Sequence, residues 1–113
     1  MEIRERDLDG VKVLDLTGKV LKGDGEAMLR AHIQDLADRG YKQLVINLGG
    51  VPYMDSSGLG ELVRCFTAMR RTGGRVGLTN LNHRVTDLFR ITKLSDVFET
   101  FDSDDAAIRS FRQ

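Results

Sequence analysis

The segment Leu44-Val45-Ile46-Asn47-Leu48 constrains this chain more than any other: a nearly unbroken apolar run of strand length, set between two stretches of helical spacing. A run with so little polar alternation is what a strand covered on both faces requires, and such strands belong to sheets flanked by helices. Upstream, Leu29, Ile33, Leu36 and Ala37 form one apolar stripe, which predicts a helix over 24–39 with Asp24 as N-cap, Arg39 in its last turn and Gly40 as its stop. Downstream, Gly49-Gly50-Val51-Pro52 reads as loop. A second helix then starts near Ser56, carries Leu59, Leu62, Val63, Phe66 and Met69 on one face, and ends at Arg70-Arg71 before Gly73-Gly74.

The rest of the chain extends this alternation. Ile3 to Leu8 is charged enough to be an edge strand, Asp9-Gly10 is the preferred dipeptide of a two-residue hairpin, and Val11 to Thr17 is a more buried partner strand ended by Gly18. Val76-Gly77-Leu78 is a short strand. Val85, Leu88 and Phe89 mark a third helix capped by Asn82, Val97 to Phe101 a final short strand, and Asp104-Asp105 the start of a last helix with Ala107, Ile108 and Phe111 inward. The expected class is α/β: a hairpin followed by strand–helix alternation, giving a small mixed sheet packed with about four helices in one domain spanning residues 1–113. The order of strands in the sheet is not legible.

Charge and composition exclude several functions. Lys plus Arg and Asp plus Glu are both 17, so the chain lacks the cationic surplus that direct nucleic-acid binding needs. No apolar run approaches the roughly 18 residues of a membrane span, so membrane insertion is not expected. Cys65 is the only cysteine, which rules out an internal disulfide and a multi-cysteine zinc site; between Leu62 and Met69 it reads as a small core hydrophobe. A cytoplasmic protein without cofactor or metal, monomeric when free, is the expectation.

The segment Tyr53-Met54-Asp55-Ser56-Ser57-Gly58-Leu59-Gly60 joins the buried strand to the long helix, at the kind of strand end where α/β proteins concentrate function. It is not a nucleophile elbow, since the first glycine of G-x-S-x-G is missing. It is not a dinucleotide or phosphate loop either: the third glycine position holds Val63, and no Gly-Lys-Ser/Thr triplet is present. Neither His32 nor His83 is placed as a base, and with Cys65 they share no metal spacing. The serines are natural N-caps. Gly58 and Gly60 each cost a helix up to about 1 kcal/mol relative to Ala, so both packing and close approach of another molecule are open explanations for them. Gly58 is expected to serve a partner and Gly60 to pack on the sheet. A hydroxyl at an exposed helix start also offers a modification site, because a phosphate adds about −1.5 to −2 charges that the helix N-terminus stabilises.

These residues, together with Val45-Ile46-Asn47-Leu48, Gly73-Gly74-Arg75-Val76 and Val85-Thr86-Asp87-Leu88-Phe89, resemble STAS domains, and most of all the bacterial anti-sigma factor antagonists. The resemblance covers nearly the whole chain. It implies a partner switch in which the unmodified protein binds an anti-sigma factor serine kinase, the kinase phosphorylates the serine after the aspartate, here Ser56, and a phosphatase resets it. It places the partner-binding loop at Met54, Asp55, Ser56, Ser57, Gly58, Leu59 and Gly60, with Lys19, Val20, Leu21 and Lys22 beside it as further partner-binding candidates; Ser57, by its type and place, is expected to cap the helix. Leu21 stands where the family commonly has an acid, and Lys19 and Lys22 make that loop basic. An adaptor subunit of another assembly, in lipid transport or stress signalling, is the alternative role that the resemblance allows.

Overall fold

The computed structural model describes residues 1–112. Strand β1 (Glu2–Leu8) turns through Asp9 and Gly10, both at positive φ, into the antiparallel β2 (Val11–Thr17). That turn needs φ > 0 at both central positions, which Asp-Gly supplies at little cost. The chain continues through α1 (Asp24–Asp38), β3 (Gln43–Gly50), α2 (Ser56–Arg71), β4 (Arg75–Thr79), α3 (His83–Ile91), β5 (Glu99–Phe101) and α4 (Asp104–Phe111). The strand order is β1-β2-β3-β4-β5, with every pair after the first parallel. Each parallel pair is joined by a helical crossover, as parallel neighbours must be.

The period of two in a strand divides the core. Leu14 and Leu16 of β2 and Leu44, Ile46 and Leu48 of β3 meet α1, α2 and α3 on one face. Val11, Val13 and Val45 point the other way, against Ala107, Ile108 and Phe111 of α4. The apolar run of β3 is therefore buried from both sides. Gly77 lets α4 approach its face: a Cβ there would lie 3.0 Å from the Phe101 ring and 3.2 Å from Phe111.

Four expectations need correction. Gly49 and Gly50 belong to β3, not to a loop. A register shift in β2 pairs Thr17 with Gly50, and Gly18 N–H donates to Gly50 O at 2.9 Å. A side chain at Gly50 would meet Leu16 O at 2.7 Å, so only glycine can extend the strand there. The N-cap of α1 is Gly23, at φ 96° and without a side-chain cap; Asp24 is instead the first helical residue, its charge favourable at the positive helix end. The last strand starts at Glu99, because Phe98 turns into the core to stack on Phe89. The serines do not cap α2; Asp55 does.

Candidate functional site

Beyond Gly50 the chain leaves the sheet and runs beside the loop between β2 and α1. Val20 and Met54 form an isolated parallel bridge: Val20 N–H donates to Tyr53 O at 3.1 Å, and Asp55 N–H donates to Val20 O at 3.2 Å. Both Val20 and Met54 are buried, so loop 19–22 is fixed to the start of α2 by backbone pairing and by packing.

Asp55 is the N-cap of α2. Its Oδ1 accepts from Gly58 N–H at 2.9 Å and its Oδ2 from Lys22 N–H at 2.9 Å. One carboxylate thus satisfies an unpaired helix donor and ties the neighbouring loop to it. The Lys22 and then the Gly58 amide hold the Asp55 carboxyl below the usual carboxylate range. Ser57, expected to cap, is displaced from that role: Asp55 sits three residues before Gly58, the N2–N3 spacing that a cap needs, and Ser57 is already inside the helix.

The glycines reverse their expected division. Gly58 is buried, and a Cβ there would lie 2.4 Å from Val20 O and 2.9 Å from Val20 Cγ1. It is the packing glycine, and what it packs on is the 19–22 loop, not the sheet. Gly60 is exposed, a Cβ there would have nothing within 4 Å, and its φ is not positive. Folding does not require glycine there.

Ser56 is the first residue of α2 and is exposed. Among the described residues its hydroxyl has no hydrogen-bond partner, and neither histidine is bonded to it; His32 Nδ1 lies instead 3.1 Å from Glu5 Oε2. Lys19 and Lys22 are exposed on the adjoining loop, and Leu21 is half-buried with its carbonyl accepting from Glu26 N–H. The structure therefore brings 54–60 and 19–22 together, but only Ser56, Gly60, Lys19 and Lys22 are exposed there; Val20, Met54, Gly58 and Leu59, expected to meet a partner, are buried and hold the two segments to each other and to the core. Cys65 lies in the core, where burial pushes its thiol up to about 12. The described residues contain no group of three or more His, Cys, Asp or Glu able to hold a metal, and no helix long and apolar enough to cross a membrane.

Sequence reasoning missed two polar clusters. Glu61 is buried on α2 and accepts from Arg30 Nε of α1 at 2.8 Å, joining the two helices. Across the sheet, Asp15, Asn47 and Thr79 lie in register on the α4 face. Asn47 donates to Asp15 at 2.9 Å, Thr79 donates to Asp104 at 2.7 Å, and Arg6 spans Asp15 and Asp104. The Arg6 guanidinium is the main cause of the lowered Asp15 carboxyl.

Comparison with known proteins agrees with this geometry. The STAS domain model matches residues 2–107. The anti-sigma-B factor antagonist of Bacillus subtilis is 42% identical over 72 residues, 64% of this chain and 65% of that protein. The anti-sigma-B factor antagonist of Listeria monocytogenes is 32% identical over 103 residues, 88% of this chain and 85% of that one. Among solved structures, the anti-sigma factor antagonist SpoIIAA superposes in its unphosphorylated form with a TM-score of 0.76, at 20% identity, over 98% of each chain. The phosphorylated form of the same Bacillus protein gives 0.74 at 20% identity, over 96% of this chain and 99% of that one.

Proposed function

Because the chain belongs to the STAS domain family, we propose that it is an anti-sigma factor antagonist controlled by phosphorylation of Ser56. In this reading the unmodified protein binds an anti-sigma factor serine kinase, so that the kinase releases its sigma factor. Phosphorylation of Ser56 breaks the complex, and a phosphatase restores the binding form. The observation that carries the reading is the state of Ser56: exposed, without a hydrogen-bond partner among the described residues, and first in a helix already capped by Asp55. A residue relieved of capping is free to be modified without loss of the helix start. The Bacillus and Listeria relatives, both anti-sigma-B factor antagonists, support the antagonist role.

A phosphate on Ser56 adds nearly two negative charges and three acceptor oxygens at the exposed start of α2. Burying a dianion against a partner evolved for a neutral hydroxyl costs several kcal/mol, and each 1.4 kcal/mol is about tenfold in affinity. The test is incubation with purified anti-sigma factor kinase and ATP, followed by fragment-ion mass spectrometry and calorimetry. Phosphate on Ser56, with Ser56→Ala still binding and the phosphorylated form weakened at least about tenfold, supports the reading. Phosphate on Ser57 alone, or equal affinity of both forms, overturns it.

A further inference from the structure

The last parallel strand, β5, ends beside a cavity that the proposed function does not use. It measures about 230 Å³ and lies between α3, the connection that follows it, and β5. Leu81, Phe89 and Phe101 give it an apolar wall, and Thr86, Ser95, Thr100 and Asp102 supply its polar groups. The wall is fixed from behind. Phe89 is buried and stacks on Phe98 with ring centroids 5.3 Å apart, and Phe101 meets Phe111 edge-on at 6.4 Å. The carboxyl ends of parallel strands are where open α/β sheets receive ligands, and an apolar wall with a few convergent polar groups is the make-up of a small-molecule site.

These four polar residues differ from their neighbours in that the fold makes no use of them. Around them, Thr92 Oγ1 donates to Leu88 O at 2.7 Å and Glu99 accepts from Arg75 Nε at 3.2 Å. Ser103 caps α4 by accepting from Ala106 N–H at 3.1 Å, and Asp104 accepts from Thr79 Oγ1 at 2.7 Å. By contrast, the side chains of Thr86, Ser95, Thr100 and Asp102 make no hydrogen bond among the described residues, and Asp102 has no cation there within ion-pair distance. Three hydroxyls and a carboxylate thus share one cavity with their bonding capacity unspent. Asp102 carries the one charge among the described residues that line it, so the cavity attracts a cation and repels an anion.

We propose that this cavity binds a small primary amine, with its ammonium on the Asp102 carboxylate and its apolar body against Leu81 and Phe89. An ammonium carries three donors and no acceptor. Asp102 and two of the hydroxyls would take all three, a charge-assisted set that a neutral alcohol of the same shape cannot reproduce. The volume lies below the roughly 300–1,000 Å³ of drug-sized ligand sites, so the amine is a small one. Occupancy would tie α3, whose buried residues are Val85 and Phe89, to the edge strand β5. The site goes beyond the proposed function and does not depend on it.

Amide NMR titrations of the full chain with benzylamine, benzyl alcohol and benzoate, three molecules of nearly one shape, test the site. Benzylamine is expected to give saturable shifts centred on Leu81, Thr86, Ser95, Thr100 and Asp102. Benzyl alcohol should bind at least about tenfold more weakly, and benzoate should not saturate. Added salt should weaken benzylamine and leave benzyl alcohol unchanged. Asp102→Asn alters an exposed residue that the fold does not use, and should bring benzylamine down to the affinity of benzyl alcohol. Asp96→Asn, at an exposed acid outside the cavity, should match wild type. Absence of saturable benzylamine binding overturns the proposal, as does equal affinity of Asp102→Asn and wild type. Benzyl alcohol or benzoate binding as tightly as benzylamine would assign the cavity to a neutral or anionic ligand and overturn it too.

Discussion

Gly58 and Gly60 stand two residues apart in the same helix and obey different rules. A methyl group at Gly58 meets a backbone carbonyl at 2.4 Å, so either α2 or loop 19–22 must shift. Gly58→Ala is therefore expected to lower unfolding free energy by roughly 1–3 kcal/mol. Gly60→Ala fills open space in a helix and should raise it by a few tenths to about 1 kcal/mol. Urea melts of the two variants measure both signs; a stabilised Gly58→Ala would contradict the packing. Asp55 adds a pH dependence. Its carboxyl titrates lower folded than unfolded, so its contribution is present above the ordinary Asp range near pH 4 and is lost as pH falls through the lowered value. Between about pH 5 and 2 the wild type should lose more stability than Asp55→Asn, which keeps an acceptor but no charge to protonate. Urea midpoints across that window decide it. The motif was legible as a site, but its internal roles were not. Serine and aspartate are equally good caps by type, and only the spacing to Gly58 N–H selects Asp55. Val20, the residue that makes Gly58 necessary, lies 38 positions away in the sequence, beyond what local pattern can reach.

Elements were legible where periodicity is long and pure, as in α2 and in the β3 run that forced two-sided burial. They were misread where pairing, not propensity, extends a strand: Gly49 and Gly50 look like loop residues and become strand because β2 offers them a partner. The row Asp15, Asn47 and Thr79 shows the same limit. Each is a polar residue in a mostly apolar strand, and only the register sets the three side by side beneath α4. Arg6 is the cation that this row and Asp104 share, with Asp15 and Asp104 largely shielded from water. Arg6→Ala should leave two carboxylates facing each other and cost about 1–3 kcal/mol. Arg6→Lys, a point charge in place of a fork, should recover part of that loss. Chemical denaturation of both variants tests it, and an unchanged midpoint for Arg6→Ala would show that the network contributes nothing.

For the whole molecule, the proposed switch on Ser56 would be a change of surface, not of fold. Ser56 buries nothing and caps nothing, so the phosphorylated and unmodified proteins should unfold within about 0.5 kcal/mol of each other, as surface changes generally do. Denaturant curves of the two forms check this; a large difference would mean that phosphate acts by loosening the domain. The sheet order carries a separate consequence, for how the molecule comes into being. Because the strands lie in space in the order in which they occur along the chain, each new strand emerging from the ribosome finds its only prior neighbour already made. No strand has to be inserted between two others, and assembly can proceed by accretion from the N-terminal hairpin onward. The bonds from the hairpin to α4 and its end depart from that sequence, Arg112 to Asp9 among them. Arg6 must wait for Asp104, 98 residues later, before its second hydrogen bond can close. Until then the Val11, Val13 and Val45 face of the growing sheet is bare, and the nascent chain is most exposed to aggregation just before α4 arrives.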